Sequence, residues 1–276
     1  ANRRELKGSY TKSFPSVHLT QDLLPNLKAR VSWSNSFGRP PLSGFYPSET
    51  ANETARTLTV PNPSLRPQTA ENWDATLEYY FEPVGNLSAG WFRKTIRDYF
   101  VSGIQNGIVG TGGDNGYGGE YAGYTILTQA NLGTAEIRGW EFSYLQQFTF
   151  LPGLLKGLSG MINYTLLDTE DRTTGRVLVR RPRHNLAADV DWTTPFGARL
   201  GATLRLASDS ADTDFETFAR TALDGYALVG LRASLPIGDA LELYGRVENL
   251  FDARYETVSG YGAYGRTAFV GVRTSF

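Results

Sequence analysis

Hydrophobic and polar residues alternate strictly in the C-terminal part of the chain. In residues 240–251, Leu241, Leu243 and Val247 alternate with charged side chains, and residues 266–276 show the same pattern. Because successive side chains of a strand point to opposite faces of a sheet, this pattern predicts two strands with one aliphatic and one charged face. A soluble sandwich would bury the aliphatic face in its core, whereas a membrane barrel would turn it to lipid. The pattern alone fits both architectures.

Strand-like segments follow one another along the whole chain, and no convincing amphipathic helix interrupts them. Their lengths suit the roughly 9–11 residues that a tilted strand needs to cross a bilayer. In residues 72–81, for example, Trp73 and Leu77 lie opposite Asp74 and Glu78. Residues 87–101 are less clear, because aromatic and charged residues mix on both faces. The predicted strands are 11–24, 27–37, 72–81, 87–101, 135–150, 158–169, 184–193, 198–208, 226–235, 240–251 and 266–276.

The connections between these strands alternate in length. Tight turns rich in Pro, Gly and Asn, which are typical of hairpins, fall at residues 24–26, 82–86, 151–153, 195–197 and 236–239. The intervening connections are long, at residues 38–71, 102–134, 170–183, 209–225 and 252–265. Short turns on one side and long loops on the other are typical of outer-membrane barrels, with the long loops extracellular. The fold prediction is therefore an all-β, antiparallel transmembrane β-barrel of about 11 strands.

Composition narrows the class of protein further. The chain has no cysteine, which excludes disulfides and Cys-ligated metal sites. Its net charge of −1 gives no basic field, so we expect no nucleic-acid partner. The chain contains no run of about 18 apolar residues, so no transmembrane helix is predicted. Barrel strands are not detected by a search for such runs, because half of the residues in each strand are polar. The first residues lack the apolar core of a signal peptide, which predicts a mature chain or a fragment.

Several motifs resemble the C-terminal half of TonB-dependent outer-membrane receptors. The most specific is the stretch of Asn249, Leu250, Phe251 and Asp252 with Tyr255, followed by the terminal Phe276. Thr274 departs from the bulky apolar residue that the family usually has two positions before that Phe, which weakens only the assembly signal. The other, individually weak motifs lie at residues 14–17, 62–69, 137–142, 163–165 and 265–267.

The resemblance implies that residues 1–276 are part of a barrel of about 22 strands that closes around a plug. It implies outer-membrane lipid as surroundings, the missing plug and barrel half as partners, and a TonB complex that acts through the missing part. The barrel assembly machinery would recognise the last strand, with Phe276 as its signal. Bacterial single-chain barrels have an even number of strands, with both ends of the chain in the periplasm. An odd number of strands with a periplasmic C-terminus therefore also predicts a truncated receptor. The implied function is energised uptake of a scarce ligand; a passive porin-like channel is the alternative.

Two sets of residues are candidates for function. Lumen- or plug-facing charges would solvate the interior or pair with the plug, and ligand contact is the second interpretation. The Gly-rich stretch 103–123 either presents aromatic, amide and carboxylate groups to a sugar or chelate or forms a flexible loop. The cluster of Tyr255, Tyr261 and Tyr264 favours an interfacial aromatic girdle, and ligand contact is the second interpretation. The lumen candidates are Glu78, Arg205, Arg232, Glu242, Arg246 and Glu248; the ligand candidates are Asp114, Asn115, Tyr117, Glu120, Tyr121, Tyr124, Tyr261 and Tyr264.

We expect no enzyme, no cofactor and no metal site. The two histidines, His18 and His184, lie in distant predicted strands, and no metal-ligand spacing or G-x-S-x-G elbow occurs. A Ser–His pair at His184, as in a phospholipase-like barrel, is the enzymatic alternative. The ligand class stays open between an oligosaccharide and a metal chelate. Residues 146–153 resemble a receptor subgroup associated with oligosaccharide uptake, which favours the former.

Overall fold

The computed structural model describes residues 11–42, 49–131, 133–214 and 219–274. Almost all regular structure in these residues is β, apart from a short 3-10 helix at Gly153–Leu155. No helix in the described ranges is long and apolar enough to cross a membrane. The first strands are β1 Ser16–Leu24, β2 Leu27–Gly38, β3 Thr50–Asn52, β4 Thr57–Thr59, β5 Gln68–Phe81, β6 Gly85–Arg97, β7 Phe100–Ile108, β8 Thr125–Asn131 and β9 Thr134–Gln147. The remaining strands are β10 Leu158–Asp171, β11 His184–Thr193, β12 Arg199–Ala207, β13 Ser210–Thr213, β14 Arg220–Leu223, β15 Tyr226–Ile237, β16 Leu241–Glu248, β17 Glu256–Val258, β18 Tyr261–Gly262 and β19 Thr267–Thr274.

Eleven long strands form one sheet in the order β1-β2-β5-β6-β9-β10-β11-β12-β15-β16-β19. Every pair in this sheet is antiparallel, and each long strand pairs with the next one along the chain. Each of the eleven predicted strands has its counterpart here, so the predicted all-β, antiparallel fold of about 11 strands is confirmed. Within the described residues, β1 and β19 each have a neighbour on one side only.

The register sorts the side chains of this sheet into an apolar and a polar face, because cross-strand partners point the same way. Leu77 pairs with Ala29 and Ala89 on the apolar face, while its neighbour Glu78 pairs with Lys28 and Ser88 on the polar face. No second layer of the described residues covers the apolar face, where Leu19 is 64% exposed and Val270 is 81% exposed. An uncovered apolar face that extends across an eleven-stranded sheet suits lipid and not water, which decides against a soluble sandwich.

Strand ends differ from the prediction where the backbone turns sharply. The predicted strand 87–101 ends at Arg97, because Asp98 adopts a positive φ of 55° and the chain then starts β7. The predicted strand 240–251 likewise ends at Glu248, where Asn249 has a φ of 49°. β1 begins only at Ser16 and β9 ends at Gln147, so both are shorter than predicted. The last residues, including Phe276, lie outside the described residues.

The short and long connections alternate as predicted, but four of the five long ones contain strands of their own; the exception is residues 172–183. Residues 39–67 and 98–133 share a four-stranded sheet in the order β3-β4-β8-β7, in which β4 and β8 are parallel. Two-stranded ribbons, β13–β14 and β17–β18, lie in residues 208–225 and 249–266. These loops therefore form ordered structure at one end of the large sheet.

Candidate ligand-binding and luminal surfaces

The candidate charges of β12 and β15 lie in one ion-pair network on the polar face. Arg205 Nη2 lies 3.0 Å from Asp189 Oδ2, and Arg232 Nη2 lies 2.6 Å from Asp191 Oδ2. A longer contact of 3.9 Å joins Arg232 to Asp189, so the two pairs are linked across β11, β12 and β15. The register explains the link, since Arg205, Asp189 and Arg232 all point to the polar face of adjacent strands.

Further ion pairs on the polar face lie on β12, β16 and β19, near the other edge of the sheet. Glu242 lies 2.8 Å from Arg273 and 3.9 Å from Arg199. Arg246 pairs with Glu248 at 3.1 Å, and its guanidinium lies 4.4 Å from the ring centroid of Phe269. All of these side chains are partly or largely exposed on a sheet face, where single ion pairs contribute at most about 1 kcal/mol.

The sixth luminal candidate, Glu78, lies on the same face near the short-turn end of β5. It accepts hydrogen bonds from Arg30 Nε at 3.0 Å and from Tyr80 Oη at 2.7 Å. All six luminal candidates thus lie on the polar face and have charged partners of the same chain. Sequence reasoning missed several of these partners, including Asp189 and Asp191, although the alternation in β11 places both on the charged face.

Asn115 organises the tip of the Gly-rich segment. Its Nδ2 donates to the carbonyl oxygens of Gly110 and Glu120, and its Oδ1 accepts from the backbone N–H groups of Tyr117 and Gly119. Four bonds to the surrounding backbone use both ends of the amide, so Asn115 supports the loop from within. The side chains of Asp114 and Glu120 are exposed beside it.

Three candidate tyrosines form an aromatic row in the same segment. Ring centroids lie 6.1 Å apart for Tyr117 and Tyr121, and 5.6 Å apart for Tyr121 and Tyr124. Arg56, from residues 39–67, lies 5.6 Å from the Tyr124 ring. A hydrogen bond from Tyr124 Oη to Glu53 raises the pKa of that phenol above its ordinary value. The row therefore presents aromatic faces next to a guanidinium and a carboxylate, groups that can stack on and hydrogen-bond a small polar ligand.

The other tyrosine candidates lie in residues 249–266. Tyr261 is 68% exposed and Tyr264 is 91% exposed. Tyr255 packs on Tyr226 with ring centroids 4.6 Å apart. Asn249 supports this segment: its Nδ2 donates to Ala253 O at 2.8 Å, and its Oδ1 accepts from Ala253 N at 2.8 Å.

A buried carboxylate, Asp212, joins three of the long loops. It is fully buried, accepts from Arg180 Nε at 2.8 Å, and accepts from Ser259 N at 2.8 Å. Burial alone would raise the pKa of Asp212, but the hydrogen bonds from Arg180 and the backbone lower it overall. Sequence reasoning missed this residue, and no local pattern around Asp212 identifies it, because its partners lie far along the chain.

His184, the residue considered for a Ser–His pair, has a different partner. Its Nδ1 lies 2.7 Å from Tyr164 Oη, while its backbone N–H donates to Ser208 Oγ at 3.2 Å. The imidazole is thus directed to a phenol on the apolar face of the sheet and not to the serine. This arrangement lacks the nucleophile–base contact on which such chemistry depends.

Comparison with known families and structures agrees with this architecture. The family model described as TonB dependent receptor-like, beta-barrel, matches residues 2–250. A variant of the ferric enterobactin receptor PfeA of Pseudomonas aeruginosa superposes with a TM-score of 0.75 at 22% identity, over 95% of this chain and 40% of that one. The siderophore receptor PirA of Acinetobacter baumannii gives a TM-score of 0.72 at 19% identity, over 95% of this chain and 41% of that one.

The ferric-catecholate import receptor Fiu of E. coli gives a TM-score of 0.69 at 17% identity, over 95% of this chain and 34% of that chain. At these identities the matches show the fold. The chain spans about 40% of the length of the first of these receptors.

Proposed function

The chain belongs to the TonB-dependent receptor-like β-barrel family, whose members are outer-membrane transport receptors, and we propose that it forms about half of such a receptor's barrel wall. The receptor would bind a scarce ligand, an oligosaccharide or a metal chelate, for TonB-energised uptake. The observation that carries this proposal is the combination of a lipid-suited apolar face, a charged opposite face and tyrosine-bearing long loops at one end of the same sheet.

The unpaired edges of the sheet support the view that further strands complete the barrel. β1 and β19 each leave one edge without a partner within the described residues. A bilayer offers no water to satisfy such backbone groups, so spanning sheets close on themselves. Coverage of about 40% of the enterobactin receptor is consistent with a barrel half. The plug, the contact with TonB and recognition of the last strand by the assembly machinery belong to the same proposal.

In this arrangement the sheet is a static wall and its two ends have different roles. The luminal ion pairs, such as Arg205 with Asp189, keep charges solvated and present a polar surface to the plug. The tyrosine row from Tyr117 to Tyr124 would contact the ligand at the extracellular end. The similar structures include a ferric enterobactin receptor and a siderophore receptor, which supports including metal chelates among the ligands tested.

Ligand binding by the full-length receptor tests this proposal. Binding to panels of ferric chelates and of oligosaccharides is measured by titration calorimetry, for the native protein and for the double variant Tyr117→Ala and Tyr121→Ala. We expect affinity for one ligand class to fall at least about tenfold, as for loss of buried aromatic contacts. Gly113→Ala in the same segment is the control, because a Cβ there meets no atom within 4 Å.

Uptake assays separate the receptor from a passive channel. Radiolabelled ligand should enter native cells and fail to enter cells that lack TonB. Equal uptake in both strains, or ligand-independent conductance by the purified receptor in planar bilayers, would favour the porin-like alternative. Unchanged affinity of the double variant would remove the tyrosine row from the ligand site.

A further inference from the structure

Charged residues occupy one part of the apolar face, at the long-loop end of β6, β9 and β10. Arg93 pairs in register with Arg138, and Arg138 pairs with Asp168. Two residues nearer the short turns, Trp91 pairs with Trp140 on the same face. Cross-strand partners, and residues two positions apart in a strand, point to the same side of the sheet. The arginines therefore lie directly above the Trp91–Trp140 pair, on the face that suits lipid.

Glu136 holds these arginines in a cluster. Its side chain is only 4% exposed, and Arg93 Nη2 donates to its Oε2 at 2.9 Å. Arg172, just beyond β10, donates to the same oxygen. Arg138 binds Asp168 through Nε at 3.0 Å and Nη2 at 2.6 Å, and its Nη1 lies 3.7 Å from Glu136. We call Arg93, Arg138 and Arg172 the outer arginine cluster.

The outer arginine cluster retains most of its hydrogen-bonding capacity. Each guanidinium carries five N–H donors. In the described part of the chain, oxygens accept hydrogen bonds from one nitrogen of Arg93, one of Arg172 and two of Arg138. The side chains of Arg93, Arg138 and Arg172 are 44%, 55% and 48% exposed. The remaining donors are therefore accessible from the surroundings, next to nitrogens that Glu136 and Asp168 already hold.

The height of the cluster places it at the boundary of the hydrocarbon. Ten residue positions separate Arg138 from Phe148, which follows β9 at the short-turn end. At about 3.3 Å per residue and a strand tilt of about 40°, that distance corresponds to roughly 25 Å along the membrane normal. The apolar band of such barrels is also about 25 Å tall. Arg138 thus lies at headgroup level when the aromatic and aliphatic residues below it lie in the acyl chains.

We propose that the outer arginine cluster binds the phosphate of a phosphorylated lipid in the outer leaflet, whose acyl chains lie on Trp140 and Phe142. Guanidinium groups form paired, charge-assisted hydrogen bonds with phosphate oxygens. Trp140 is 46% exposed and Phe142 is 43% exposed directly below, so the surface matches an amphipathic ligand in polar and apolar order. The carboxylates of Glu136, Asp168 and Glu170 balance the three guanidinium charges of the cluster. Its attraction for a lipid phosphate therefore depends on short-range, directional hydrogen bonds.

Lipid binding by the full-length receptor in detergent tests the proposal, which rests on the outer-membrane location. Native mass spectrometry measures the concentration of bis-phosphorylated lipid A that half-saturates the protein. The triple variant Arg93→Gln, Arg138→Gln and Arg172→Gln should need at least about tenfold more lipid. The matched control Arg30→Gln, Arg199→Gln and Arg273→Gln removes three charges from the polar face and should bind as the native protein does.

Other lipids and a milder variant complete the experiment. Dephosphorylated lipid A should bind as weakly to the native protein as to the triple variant, and excess inorganic phosphate should not displace the lipid. Arg172→Gln, which lies outside the strands, should weaken binding about threefold and decides the question if the triple variant fails to fold. Equal lipid affinity of the native protein and Arg172→Gln, or full displacement by inorganic phosphate, would overturn the proposal. Ligand binding by the loops, measured in parallel, shows whether the receptor function fails independently.

Discussion

Replacing Asp212 by Asn should open three long loops without disturbing the sheet. Asp212 is fully buried and accepts hydrogen bonds from Arg180 Nε and Ser259 N, both at 2.8 Å. Each bond comes from a different loop, so the carboxylate holds residues 172–183 and 249–266 against β13. An amide of the same shape has one accepting oxygen only. Its NH₂ group would then face one of the two donors.

The structure sets the expected size of this effect. A hydrogen bond to a charged group stabilises by about 1.5–3 kcal/mol. Asp212→Asn removes one of the two hydrogen bonds and leaves the other with an uncharged acceptor. The loss is reduced because the Arg180 side chain, which is 38% exposed, can form hydrogen bonds with water instead. We therefore expect the free energy of local opening to fall by about 2–3 kcal/mol. This corresponds to about 30- to 150-fold faster amide exchange in the loops.

Hydrogen–deuterium exchange measured by mass spectrometry reports this opening segment by segment. Peptides covering residues 176–183, 210–213 and 256–262 should exchange faster in the variant, and peptides from β10 and β11 should not change. Because its hydrogen bonds hold the pKa of Asp212 below the ordinary value of about 3.9, its contribution is present above that pH and is lost as the pH falls towards the folded pKa. The protection factors of the loops, which are exchange rates corrected for the slower intrinsic exchange in acid, should therefore fall as the pH is lowered in the native protein, and the variant should lack this fall.

Two results would refute this reasoning. Loop exchange that changes less than about threefold would mean that Asp212 does not hold the loops together. A similar increase in β10 and β11 would mean that the substitution destabilises the whole sheet. Asp209→Asn is the matched control, because Asp209 is exposed in the same loop and its replacement by Asn removes the same charge.

Three further predictions concern individual residues. Asn249→Gly retains the backbone freedom that a φ of 49° requires but removes the side-chain bonds, so residues 249–266 should be cleaved by trypsin at least about fivefold faster. Gly139→Ala should lower the temperature at which the barrel loses its heat-modifiable migration in gels, because its Cβ would lie 2.3 Å from a backbone oxygen; Gly113→Ala should leave it unchanged. Glu53→Gln should lower the pKa of Tyr124 towards the ordinary phenol value, as seen in ultraviolet difference titrations against Tyr124→Phe.

The large sheet could be predicted from the sequence because each spanning strand carries its own two-residue period. The pairing Leu77–Ala89 beside Glu78–Ser88 follows from local alternation and a short turn, without information from distant residues. Strand ends were less predictable. Asp98 and Asn249 end their strands by adopting positive φ, which hydrophobic patterning does not report. The small strands of the long loops were missed for a related reason, since β4 pairs in parallel with β8, which lies far along the chain.

The candidate sites divide in the same way. Candidate charges such as Arg205 and Glu242 could be assigned to the polar face from parity alone, and both lie on that face of the sheet. Their partners, and the supporting role of Asn115, depend on register and loop geometry that no motif encodes. Asp212 shows the limit most clearly, because its partners come from two other loops.

In β6, aromatic and charged residues mix on both faces, and the structure shows the physical reason. Phe92 points to the polar face, where its ring lies 2.9 Å from the position of a Cβ on Gly139; the glycine makes room for the inward aromatic. Arg93 points to the apolar face beside Arg138. The rise and tilt of the strands put this pair near the headgroup boundary, where a charge costs little. The rule of apolar residues outside and polar residues inside holds only across the hydrocarbon. A mixed strand therefore indicates a boundary within the membrane, and at this boundary we expect the lipid phosphate to bind.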